Sequence, residues 1–84
     1  MRDKTATVAF GTVIKTLRLE RKLTQDLLAE KSGTERSHIS DLERGIKGPA
    51  ISTIFNMARA LNILPGDLIN LVGDELARQM SKND

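Results

Sequence analysis

Ser37, His38 and Asp41 are the nearest this chain comes to a nucleophile, a base and an orienting carboxylate, and His38 is its single histidine. Geometry disposes of the triad. Adjacent residues on a helix point about 100° apart, so Ser37 is not presented to the imidazole of His38. A metal centre lacks ligands, because the chain has no cysteine and no second histidine. No glycine-rich phosphate loop occurs either. No catalytic residue, metal or cofactor is therefore expected. Together with Arg36, Ser40, Arg44 and Lys47, these side chains can instead grip something outside the protein. A guanidinium such as that of Arg36 can fork onto guanine O6 and N7. Hydroxyls, carboxylates and ammonium groups suit other base edges and phosphates.

Such a surface needs a rigid support, and residues 24–45 supply the signals for one. Thr24 is a good N-cap, its hydroxyl able to take an orphan backbone N–H. Leu28 and Ala29 mark the buried side of a first short helix. Ser32-Gly33 ends it, since glycine accepts the left-handed conformation that a sharp turn needs. A second helix is expected over about Glu35 to Arg44, with Ile39 and Leu42 inward and Gly45 as its stop. So few apolar residues leave Arg36, Ser37, Ser40 and Asp41 facing outward. The pattern is a helix-turn-helix, whose usual partner is the major groove of double-stranded DNA.

Leu23-Thr24-Gln25, Leu28-Ala29, Gly33, Ile39-Ser40 and Leu42-Glu43-Arg44-Gly45 in this register resemble the lambda-repressor-like (Xre) family of DNA-binding domains. Pro49 and the stretch Ala58 to Leu61 extend the resemblance over roughly residues 8 to 72. The resemblance implies a compact all-α domain of five helices that binds operators as a dimer, its third helix in the major groove. It places Gln25 at a phosphate-contacting helix start, and Arg36, Ser37 and Asp41 at base-reading positions. It also matches Arg18 and Glu43 to a structural salt bridge between the first helix and the recognition helix. Glu35 departs from the pattern, which has a small polar cap there. Thr34 is the expected cap in its place, with Glu35 in the first turn. Leu27 departs too, standing where a polar residue is usual; it is either a stray exposed leucine or a contact for a partner such as RNA polymerase.

Each contact has an ordinary alternative. Arg36 is either a base or phosphate contact or an ordinary solvated arginine, and Ser37 reaches either a base edge or a phosphate. His38 is either a phosphate contact or a partner of Asp41. Asp41 either accepts from a cytosine amino group or holds Arg36 or His38 in place. Arg44 and Lys47 follow the recognition helix and are expected on phosphates, which position the domain without reading sequence. Thr24 and Ser40 complete the expected DNA-binding set.

Charge distribution agrees with this reading. Residues 1–47 hold ten Lys or Arg against seven Asp or Glu, whereas residues 48–84 hold three against four. The basic half carries the helix-turn-helix, as a phosphate-facing surface requires. With 84 residues the chain is expected to form one domain over residues 1–84. No apolar run approaches a membrane span, and no signal peptide opens the chain. The absence of cysteine fits a reducing compartment, so a cytoplasmic protein is expected.

The remainder reads as helices. The first covers about Thr7 to Arg21, with Phe10, Val13, Ile14 and Leu17 on one side and residues 1–6 frayed. A fourth covers about Ile51 to Leu61, with Ile54, Phe55, Ala58 and Leu61 inward. Pro65 opens a fifth, and residues 66–80 are expected to dimerise through Ile69, Val72, Leu76 and Met80. The resulting expectation is a transcriptional regulator that binds a palindromic operator as a homodimer, similar to phage Cro-like repressors or restriction–modification controllers. An antitoxin that represses its own operon, with a toxin as partner, and a protein-interaction module are the alternatives.

Overall fold

The computed structural model describes residues 4–82. It contains α1 (Thr5–Glu20), α2 (Gln25–Ser32), α3 (Arg36–Glu43), α4 (Ile51–Ala60) and α5 (Pro65–Lys82), with no strand among the described residues. Among those residues no helix is long and apolar enough to cross a membrane. Thr5 and Ala6 are already helical, so the fraying expected over residues 1–6 is cut back; residues 1–3 lie outside the described residues.

The helix ends share one device. Beyond α1, Lys22 adopts a left-handed conformation, φ 57°. Its N–H donates to Leu19 O at 3.0 Å, and the N–H of Leu23 donates to Arg18 O at 3.0 Å. The same double closure follows α4, where Asn62 has φ 56° and Ile63 N reaches Ala58 O at 2.9 Å. It follows α3 as well, with Gly45 at φ 72° and Ile46 N on Asp41 O at 3.0 Å. Each turn satisfies carbonyls that a helix leaves orphaned, and Leu23 and Ile63 then drop onto the core. Glycine and asparagine announce such a turn, whereas Lys22 does not, which is why α1 stops before the expected Arg21.

The core is one cluster. Phe10, Val13, Ile14 and Leu17 of α1 meet Leu28, Ile39, Leu42, Met57, Ala58, Leu61 and Leu68 from the other helices. α1 is the central strut, packed on α3 along one side and α5 along another, while α2 packs on α3 and α4. Where α1 crosses α3 the backbones nearly touch. A Cβ on Gly11 would overlap the carbonyl oxygen of Leu42 and lie 3.0 Å from that of Glu43.

One packing expectation needs correction. Phe55 points outward at 54% exposure; the buried line of α4 runs through Ile54, Met57, Ala58 and Leu61 instead. A helix buries one arc, and Phe55 falls outside the arc of α4 that meets the core. On α5, Leu68 is fully buried and Val72 packs on the core, whereas Ile69, Leu71 and Met80 are exposed.

Candidate nucleic-acid interface

α2 and α3 are joined by a turn whose geometry follows from three residues. The hydroxyl of Thr24 accepts from Leu27 N at 3.0 Å and caps α2. Gly33, at φ 72°, reverses the chain after α2, and its N–H donates to Ala29 O at 2.9 Å. Glu35 is the N-cap residue of α3, in extended conformation and without a side-chain capping bond. The cap expected from Thr34 is thus not formed. Thr34 belongs to the turn, its N–H shared between Ala29 O and Ser32 Oγ.

α3 is fastened by Ile39 and Leu42, both with no exposed surface. Arg36, Ser37 and Arg44 lie on the opposite, exposed side, with Ser40 and Asp41 half-buried at its edge. Gln25, Arg36, Ser37 and Ser40 line an open polar notch of about 300 Å³ between the two helices. His38 is half-buried on the flank of α3.

A second fastening comes from charge. Arg18 Nε lies 2.6 Å from Glu43 Oε2 and its Nη2 lies 3.0 Å from Oε1, a fork-on-carboxylate pair with side-chain exposures of 10% and 3%. The remaining Arg18 nitrogen, Nη1, donates to Leu23 O at 2.9 Å. Glu43 Oε1 also accepts from Gln25 Nε2 at 3.0 Å, so a single carboxylate ties α1, α2 and α3 together. Gln25 is thereby held in one orientation at the start of α2. Its Nε2 carries two hydrogens and one is committed to Glu43, which leaves the other for an outside acceptor.

The exposed cations have carboxylate partners. Arg44 Nη2 donates to Asp41 Oδ1 at 3.0 Å, and Lys47 Nζ lies 3.8 Å from Asp41 Oδ2. Arg36 Nε lies 3.3 Å from Asp26 Oδ1, across the helix-turn-helix. The expected pairing of Asp41 with Arg36 or His38 is therefore corrected. Arg44 sits one turn ahead of Asp41 on the same face, whereas Arg36 lies five residues back and well around the helix. Gly11 and Asp26 were not singled out by sequence reasoning. Only Gly11 carried a signal, since a glycine inside an apolar helical stripe costs stability unless another backbone approaches there.

A helix-turn-helix family model matches residues 14–68. The immunity repressor of Bacillus phage phi105 is 40% identical over 77 residues; the match takes in 88% of this chain and 54% of the repressor, so the chain spans about half of that relative's length. Among solved structures, the restriction–modification controller protein C.AhdI from Aeromonas hydrophila superposes with a TM-score of 0.71 at 37% identity, over 74% of this chain and 94% of that one. The controller C.Esp1396I, solved as a tetramer on its natural 35-base-pair operator, gives 0.79 at 28% identity, over 86% and 95%. These relatives are regulators and not enzymes. With the model match covering most of the helical core and the α2–turn–α3 unit in place, the chain belongs to the helix-turn-helix family of lambda-repressor-like, Xre-type DNA-binding domains.

Proposed function

We propose that this chain regulates transcription by setting α3 into the major groove of an operator, two copies sharing one palindromic site. The observation that carries the reading is the way α3 is mounted. Its apolar side is buried, its last turn is bolted to α1 through Glu43, and its polar side is left outward. The similar proteins support it: an immunity repressor, restriction–modification controllers, and a controller complex on operator DNA. Thr24, Gln25, Arg44 and Lys47 flank the groove as phosphate contacts, and Arg36, Ser37, His38, Ser40 and Asp41 meet base edges or the adjoining backbone.

Selection from a randomised duplex library tests this directly, with binding then measured across salt concentrations. Alanine at Arg44 or Lys47 should weaken binding to the selected duplex and flatten its log–log salt slope by about one per lost contact. Arg36→Ala should cost about 1–3 kcal/mol on the selected site and relax preference at one position per half-site. Equal losses on both duplexes would make Arg36 a phosphate contact. Failure of the library to yield any preferred sequence would remove the operator reading altogether.

One helix-turn-helix reads only a few base pairs, so selectivity calls for two copies about 34 Å apart. Ile69 and Met80 of α5 are exposed at 46% and 56%, and Leu76 is half-buried between them. Val72 of the same set packs on its own core, so its share of an interface is smaller. Ile69→Asp and Met80→Glu should each give a folded protein that sediments as a monomer and binds the selected palindrome much more weakly. An intact dimer in both variants would move the interface off α5. The exposed Ile51, Phe55 and Leu64 then offer the next apolar surface.

A further inference from the structure

The carboxylates on the outer face of the helix-turn-helix are hard to explain by stability. Exposed ion pairs contribute little to folding, and Asp26 and Asp41 stand where phosphates would approach. Between them they hold three of the cations proposed to meet DNA. The two are not equivalent. Asp26 is on α2 with 77% of its side chain exposed, whereas Asp41 is on α3, one turn beyond Ser37, with 25% exposed and two cations on its two oxygens.

We infer that Asp41 is a specificity-determining residue that acts by restraint: it keeps Arg44 and Lys47 in intramolecular pairs that only a correctly seated site exchanges for phosphates. The inference rests on the DNA-binding reading of α3. On a duplex of arbitrary sequence the carboxylate enters the phosphate field without a donor of its own, and Arg44 and Lys47 neutralise it. Phosphate contact then requires stripping both cations from it and leaving an unpaired charge. A site that presents a cytosine or adenine amino group to Asp41 supplies the missing donor. The carboxylate then accepts from the base, and Arg44 and Lys47 turn to the backbone. Base readout and phosphate grip are coupled through one side chain, and wrong sites are penalised more than right ones are rewarded.

Asp41→Asn tests the coupling, because it keeps the shape and removes the charge that holds the cations. Against a random-sequence duplex two helical turns long, the variant should bind about three- to tenfold more tightly than wild type, the combined worth of two exposed ion pairs. Its advantage on the library-selected site should shrink by at least as much. Glu20→Gln, which makes the same change in net charge at the exposed end of α1, should alter neither value. In a background where Arg44 and Lys47 are both glutamine, Asp41→Asn should give no gain on random duplex. The inference is overturned if Asp41→Asn gains no more than Glu20→Gln, or if the gain persists without the two cations. Wild-type protein that binds neither duplex at low salt overturns the DNA-binding reading, and this inference with it. A wild type that binds while Asp41→Asn keeps full selectivity overturns the inference alone.

Discussion

Glu43→Ala should lower the unfolding free energy by about 3–5 kcal/mol, the cost of stripping one partner from a buried ion pair. Almost none of the Glu43 side chain is exposed, and Arg18 is nearly as covered. Without the carboxylate, the guanidinium keeps only its bond to Leu23 O and stays largely out of water. Gln25 loses its anchor in the same step. Small domains have about 5–15 kcal/mol in total, so urea denaturation should show the midpoint falling steeply. The double change Arg18→Met with Glu43→Leu should be far milder, because it leaves no unpaired charge. A loss under about 1 kcal/mol for Glu43→Ala would put the pair in the class of exposed bridges and remove it as the bolt of α3.

Gly11→Ala is the second large effect, and two opposed terms decide its sign. Alanine in a helix interior is favoured over glycine by about 1 kcal/mol. Against this, the new methyl would overlap the Leu42 carbonyl and press on that of Glu43. Both obstacles are backbone, so no side chain can rotate away, and α1 and α3 must separate. Overpacking of this kind costs typically about 1–3 kcal/mol and more when backbone has to move. The net should be destabilising by about 2 kcal/mol, a fall in melting temperature of roughly 8–16 °C for a domain of this size. The same separation pulls Glu43 away from Arg18, so operator affinity should fall along with stability. A melting temperature equal to or above wild type would mean the helices do not approach as closely as described.

Five helices were legible because each buries a single stripe, and apolar spacing reports that directly. Thr24, Gly33, Gly45 and Pro65 marked four of the boundaries, each through a conformation or hydrogen bond that its residue type favours. The end of α1 was misjudged by one residue because Lys22 takes a left-handed conformation that its chemistry does not advertise. Phe55 was misjudged because periodicity ranks residues by hydrophobicity, and the arc actually covered depends on where α2 and α5 lie.

The polar residues divide in the same way. Their presence on one outward face follows from the sequence, since Ile39 and Leu42 fix which side of α3 is buried. Their partners do not. Asp41 could reach Arg44 or His38 by helical spacing alone, and the pairing of Arg36 with Asp26 crosses a turn whose angle no local rule specifies.

By itself, the sequence determined the all-α class, the helix-turn-helix and the outward set from Arg36 to Lys47, because these depend on local propensity and short-range periodicity. Tertiary structure alone decided that Gly11 admits Leu42, that Glu43 also takes in Gln25 of α2, and that Asp26 meets Arg36 across the turn. Those are distances between different helices, set by how the core packs, and periodicity within one helix carries no information about them.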